Sequence, residues 1–185
     1  MSENGLNVEK TLNILDRIIR FVDSCDKKTS IALAFYGALL TIFLSSENLK
    51  ILHQLINNAY YFGKCLGKIY LLAFACSAVM YVYGMYKLLK AIFPQIKEKH
   101  FQQEGIENNS IIFFGDICRN KDYLKYRSKV DAISEEDMLN DIFSQIYINS
   151  LICDTKFKNY KTGIKITTIS LSIFIILWIL GLFVY

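Results

Sequence analysis

Residues 164–185 read IKITTISLSIFIILWILGLFVY, and the residues leading into them, 134–163, read SEEDMLNDIFSQIYINSLICDTKFKNYKTG. A membrane-spanning helix needs about 20 mostly apolar residues. The stretch 164–185 meets that with one charge, Lys165, at its edge. Upstream, Ser134 with Asp137 three residues later is a capping box, which marks a helix start. Leu139, Ile142, Ile146, Ile152 and Phe157 then recur at helical spacing, and nothing breaks the run before Gly163. One helix over 135–185 is therefore expected. At 1.5 Å per residue it would be roughly 75 Å long, half in the membrane and half outside it.

The rest of the chain agrees with a membrane protein that carries a polar part. Of 185 residues, 53% are hydrophobic and 21% charged. That is too apolar for a disordered chain and too charged for bare spans. Two further apolar blocks are present: IALAFYGALLTIFL at 31–44 and IYLLAFACSAVMYVYGMYKLLKAIF at 69–93. The second reaches spanning length up to Tyr86, after which Lys87 and Lys90 can snorkel. The first is the shortest and borrows Thr29, Ser30, Ser45 and Ser46; a buried core helix is its alternative reading. Before it, Leu12, Leu15, Ile18, Ile19 and Val22 alternate with Asp16, Arg17, Arg20 and Asp23, an amphipathic helix that runs on towards the first span. No secretory signal peptide is expected, because the first 30 residues lack an isolated apolar core and a cleavage site.

The organisation read from this is an all-α membrane protein. Residues 1–30 are a cytoplasmic amphipathic helix, 31–46 the first span, and 47–68 an external loop or interfacial segment. Residues 69–93 are the second span, 94–163 a helical cytoplasmic region, and 164–185 the third span. The orientation follows from basic residues at span ends: Lys27 and Lys28 before the first span, Lys97 and Lys99 after the second, and Lys156, Lys158 and Lys161 before the third. Segment 94–163 holds ten Lys/Arg and eleven Asp/Glu. The surplus charge is thus a topology signal rather than a DNA or RNA footprint. The stalks 6–30 and 135–163 are expected to pack together or to zip against neighbouring copies. Pro94 and the polar loop 104–110 are the clear breaks. Residues 111–117 are short and apolar, either a strand or a helix start, and 121–130 read as a basic helix.

Catalytic motifs are absent. There is no phosphate-binding glycine loop, no dinucleotide fingerprint and no nucleophile elbow. Cys25, Cys65, Cys76, Cys118 and Cys153 form no C-x-x-C pair, and His53 and His100 lie far apart, so no zinc spacing exists. No metal, no cofactor and no enzyme activity are expected. What stands out is polar patterning. Asp137, Asp141, Gln145 and Asn149 recur every four residues, and Lys156 and Tyr160 have the same spacing towards the membrane. Arg119, Tyr123, Tyr126 and Arg127 mix rings with fixed charge, which suits stacking on a base and pairing with a phosphate. Thr167, Thr168, Ser170 and Ser172 give the third span a polar stretch, read as helix–helix hydrogen bonding or as a pore wall in an oligomer.

Several of these residues resemble a known family. Asp26-x-Lys28-x-Ser30 before the first span is similar to the D-x-K-A-S entry of the Pycsar effectors, bacterial antiphage membrane proteins. Residues 110–117, SIIFFGDI, resemble that family's segment ending in F-F-G-x-I. Asp141-x-x-x-Gln145 followed by Lys156-x-x-x-Tyr160 resembles its last long helix. The likeness covers about residues 10–185, with Thr29 where the family usually has Ala. It implies an effector activated by a cyclic nucleotide, typically cyclic CMP or cyclic UMP, which a cyclase makes on sensing phage. The effector then impairs the bacterial inner membrane and stops the infected cell. The expected partners are the lipid bilayer, the second messenger and further copies of the chain in a homo-oligomer. A ligand site is hypothesised from chemistry and position: Asp26 and Lys28; Arg119, Tyr123 and Arg127; and Gln145, Asn149, Lys156 and Tyr160. Two other readings stand beside it: a membrane-anchored adaptor without its own site, and a metal-dependent hydrolase using Asp116, Asp137 or Asp141.

Overall fold

The computed structural model describes residues 7–62, 64–93, 103–107 and 109–184. Gly63, Pro94, Lys97, Lys99, His100, Asn108 and Tyr185 lie outside the described residues. Among those described the chain forms six helices and no strand: α1 (Val8–Phe43), α2 (Ser46–Phe62), α3 (Lys64–Ile92), α4 (Phe114–Arg119), α5 (Tyr123–Ala132) and α6 (Glu135–Val184). The all-α membrane architecture read from the sequence is the one observed.

Local chemistry sets the helix ends. Asn7 Oδ1 accepts from the Lys10 backbone N–H at 2.9 Å and starts α1. Asp122 Oδ1 does the same for Leu124 at 2.8 Å before α5. Ser134 Oγ accepts from the Asp137 N–H at 3.1 Å and donates to the Asp137 carboxylate at 2.6 Å, so the serine half of the capping box forms, while the carboxylate takes the Ser134 hydroxyl. From there α6 continues for 50 residues. Residues 111–117 resolve as a helix start rather than a strand.

Among the described residues, two helices are long and apolar enough to cross a membrane on their own: Cys65–Ile92 and Glu135–Val184. The first apolar block behaves differently. It is long and apolar enough only jointly with the next helix, as Val8–Phe43 plus Ser46–Tyr61, bent by 65° at the break. The segment at 47–68, expected as a loop or interfacial stretch, is thus largely helical, and the bent pair is either a broken span or a re-entrant hairpin.

The chain divides into two compact units. One comprises Met1–Ser24 with Pro94–Thr155, and the other Cys25–Phe93 with Lys156–Tyr185. The second holds the apolar helices. Its interior is Ala32, Tyr36, Tyr81 and Leu88, with Leu33, Leu39, Met85, Tyr160, Ile164 and Leu171 packed around them. Phe43, Phe74, Phe174 and Trp178 form an aromatic cluster with centroids 4.7–6.4 Å apart. Helices approach closely at glycine: a Cβ on Gly84 would lie 2.7 Å from the Thr167 backbone nitrogen, and one on Gly163 2.9 Å from that of Leu88. Gly67 likewise faces the Ala59 carbonyl, so α2 rests against α3 there.

The polar stretch of the third span serves mainly this packing. Thr167 and Ser170 are fully buried. Thr168 Oγ1 meets Tyr36 Oη at 2.7 Å, and Tyr81 Oη donates to the Tyr36 carbonyl at 2.6 Å. Ser170 and Ser172 return their hydroxyls to the carbonyls of Ile166 and Thr168, one turn back in α6.

Candidate functional site

In the unit formed by residues 1–24 and 94–155, two carboxylates organise a loop. Asp141, on α6 and 1% exposed, accepts from the Ile111 backbone N–H through Oδ2 at 2.9 Å. Asp116, on α4, accepts from the Ser110 N–H at 3.2 Å through Oδ2, and from Arg119 Nη1 at 2.8 Å through Oδ1. Ser110 Oγ in turn accepts from the N–H groups of Ile112 and Phe113 at 3.1 and 2.8 Å, ahead of α4. The Glu107 N–H donates to Ser144 Oγ at 3.0 Å, and Tyr126 Oη donates to the Ile111 carbonyl at 3.0 Å. Glu107, Ser110 and Ile111, which belong to no regular element, therefore have their backbone anchored by side chains from α4, α5 and α6. Asp141 Oδ1 has no partner among the described residues.

Beside this loop lies a cleft of about 460 Å³, lined by Glu107, Phe113, Asp116, Arg119, Gln145 and Ile148 among others. The volume falls in the usual range for small-molecule sites, about 300–1,000 Å³. Its chemistry is mixed: a guanidinium for an anion, a ring for stacking, and an amide that can donate and accept. Arg119 is 79% exposed at its side chain and is held on one side by Asp116.

In the other unit a buried ammonium ties three helices. Lys156 of α6 donates to Asp26 Oδ1 of α1 at 2.5 Å and to the Ile92 carbonyl at the end of α3 at 3.0 Å. The Lys156 side chain is 6% exposed and that of Asp26 38%. The Ile92 carbonyl is at the last residue of α3, and the lysine supplies it with a donor. One turn from Asp26, Thr29 Oγ1 donates to the Cys25 carbonyl at 2.7 Å. Burial pushes the Cys25 thiol above the ordinary cysteine range, and Asp26 pushes in the same direction.

The residues singled out from the sequence divide accordingly. Arg119 and Gln145 line the cleft. Asn149 donates to the Gln145 carbonyl at 2.8 Å, one turn further along α6. Tyr123 and Arg127 lie on the exposed α5, where Arg127 is committed to Asp131 through two contacts of 2.9 Å. That carboxylate, with Tyr123, holds the guanidinium more firmly charged. Asp26, Lys28, Lys156 and Tyr160 belong to the membrane unit. Asp26 and Lys156 pair, while Lys28 and Tyr160 line a shallow groove between α1 and α6. Among the described residues, no group of three or more His, Cys, Asp or Glu is placed to hold a metal ion.

Sequence reasoning missed Ser110, Ser144 and Glu107. Ser110 carried a signal, a hydroxyl residue shortly before a helix start. Ser144 and Glu107 carried none, because their hydrogen bond joins positions 37 residues apart.

The chain matches the Pycsar effector protein domain family, PycTM, over residues 10–185. It is also 30% identical to the Pycsar effector protein GmPycTM of Gulbenkiania mobilis, covering 96% of this chain and 93% of that protein. No solved structure matches it. The matched region takes in both units, the cleft and the Lys156 node, and the chain belongs to the Pycsar effector family, the transmembrane effectors of antiphage defence.

Proposed function

We propose that the protein is a cyclic-nucleotide-activated effector that impairs the integrity of the bacterial inner membrane and so aborts infection. The observation that carries this reading is the cleft at Arg119, Gln145 and Phe113. Arg119 would meet the cyclic phosphate, Phe113 would stack on the base, and the Gln145 amide would read its edge. Cyclic CMP or cyclic UMP is the expected ligand. Asn149, Tyr123 and Arg127 would act around this site rather than in its wall. The protein works by binding and rearrangement, not by catalysis.

Activation requires the ligand to bind one arrangement of the protein better than another. The chain passes between its two units three times, at 24/25, 93/94 and 155/156. Lys156, Asp26 and Ile92 stand within two residues of those three passages, which makes the Lys156 node the natural place for a ligand signal to reach the membrane helices. Three crossings are too few to enclose a pore in one protomer, so membrane damage calls for a homo-oligomer. Leu12 and Ile19 of α1, seven residues apart and so on one face, are 39% and 47% exposed, an apolar strip suited to such assembly. The Lys/Arg distribution supports a cytoplasmic N-terminus and a cytoplasmic 94–163 segment.

The test is calorimetric titration of the purified protein with cyclic CMP and cyclic UMP, paired with dye release from proteoliposomes. Binding by the wild type and its loss in Arg119→Ala, with insertion retained, is the expected result. Normal nucleotide response in Arg119→Ala would reject the cleft as the site. Absence of binding in the wild type would favour a membrane-anchored adaptor.

A further inference from the structure

At the foot of the membrane unit two shallow grooves meet on α6. One lies between α1 and α6, passes over Ile31, Phe35 and Tyr160, and has about 310 Å³. The other flanks Phe157, Tyr160 and Lys161 and has about 510 Å³. Tyr160 and Ile164 line both. Lysines rim them: Lys28 on the first, and Lys158, Lys161 and Lys165 on the second. Positions 158, 161 and 165 share one face of α6. On α1, Lys28, Ile31 and Phe35 have the same spacing, a cation followed by exposed apolar residues. Ile31 is 70% exposed and Phe35 59%.

For three of these four lysines the charge is not cancelled from within. Asp26, the nearest carboxylate to Lys28 in sequence, is committed to Lys156. Lys28, Lys161 and Lys165 are exposed and make no hydrogen bond or ion pair among the described residues. The basic residues of α3 are a useful contrast. Lys87 lies 5.5 Å from the centroid of the Tyr83 ring and Lys90 5.0 Å from that of Tyr86, so each already has an aromatic partner.

A ligand that fits must be anionic at one end and aliphatic at the other. We propose that the double groove binds an anionic glycerophospholipid, with its phosphate against Lys161, Lys165 and Lys28 and an acyl chain over Ile31 and Phe35. A zwitterionic lipid would bring its own cation towards these ammonium groups. Basic clefts between membrane helices recognise anionic headgroups in this way. The site is independent of any nucleotide and makes α1–α6 packing sensitive to lipid composition.

The test uses the full-length protein in detergent, titrated with phosphatidylglycerol or phosphatidylcholine and read by native mass spectrometry. Phosphatidylglycerol should be retained in preference, with each lysine contributing roughly fivefold. Lys161→Gln/Lys165→Gln should lower that preference by about tenfold or more, while Lys161→Arg/Lys165→Arg retains it. Lys87→Gln/Lys90→Gln, which removes the same charge at the edge of α3, should leave it within about twofold. Equal loss in both Gln pairs would show a general basic belt and overturn the site. So would a wild type without headgroup preference, or displacement of the lipid by inorganic phosphate. Should the Gln pair not fold, the wild-type preference and the Arg pair still decide the matter.

Discussion

The two units place their buried polar groups in opposite ways. Around the cleft, two carboxylates and two serines hold backbone N–H groups of a loop, with Asp116 on α4, Asp141 and Ser144 on α6, and Ser110 in the loop itself. Among the apolar helices, one ammonium joins three elements, the Tyr36 and Tyr81 hydroxyls bridge helix pairs, and close packing at glycine and aromatic residues does the rest. The first arrangement can yield locally, since a loop released from one carboxylate still has its other anchors. The second cannot, since helices in contact at Gly84 and Gly163 have no slack. A ligand-responsive site suits the former, and an all-or-none membrane rearrangement the latter.

The contrast breaks most visibly at Gly84. Its missing Cβ is occupied by the Thr167 backbone and hydroxyl, so a side chain there cannot be accommodated by a rotamer change. Gly84→Leu should cost at least the upper end of the roughly 1–3 kcal/mol range for overpacking, and should separate α3 from α6. Thermal unfolding in detergent would show it; a midpoint equal to wild type would mean the helices are not this close.

Next in size is the Lys156 node. Asp26→Asn leaves a buried ammonium with the Ile92 carbonyl and a neutral amide. Loss of one partner from a buried pair costs about 3–5 kcal/mol when both are buried. Asp26 is 38% exposed at its side chain, which brings the expectation to about 2 kcal/mol. Asp26→Asn/Lys156→Met should recover most of the loss, because no unpaired charge remains. A double variant as unstable as the sum of its singles would show that the two side chains are not coupled.

These effects also mark what could be read before the structure. Helix α6 was legible because capping at Ser134 and the spacing of Leu139, Ile142 and Ile146 are local signals. The Asp141 and Gln145 face was legible as polar, and Arg119 with Gln145 did converge on one cleft. The partnership of Lys156 with Asp26 was not legible, since it joins positions 130 residues apart. Its second partner, a main-chain carbonyl at Ile92, has no side-chain signature at all. The end of the first span was legible at 46, close to the break at 44–45, but the immediate resumption of a helix was not: no Gly or Pro marks the bend, and Asn48 Nδ2 caps the Ile42 carbonyl at 2.9 Å.

In the cleft unit the corresponding change is smaller and should stay local. Asp141→Ala deprives the Ile111 N–H of its acceptor. A buried donor left unsatisfied costs about 1–3 kcal/mol. The lower part of that range is expected, because Asp141 Oδ1 is itself unsatisfied and its removal relieves part of the penalty. Hydrogen exchange should quicken at residues 110–113 while α3 keeps its protection. Exchange that rises in α3 as well would mean that the two units do not respond separately.

The smallest effects are rates of cysteine modification, and they distinguish the units without perturbing either. Cys118 and Cys65 are exposed, whereas Cys25 is fully buried. Burial also raises the Cys25 thiol, and the thiolate is the reacting form. At a given pH below its raised value, Cys25 therefore has less thiolate than an ordinary cysteine, and its labelling should lag and gain more from alkaline pH. With a membrane-impermeant maleimide on intact spheroplasts, the proposed orientation places Cys65 on the labelled side and Cys118 on the protected side until the membrane is opened. Labelling of Cys118 before Cys65 would invert the orientation. Prompt labelling of Cys25 at neutral pH would mean that the helix feet around Lys156 open readily, and would remove the rigidity on which the contrast between the units depends.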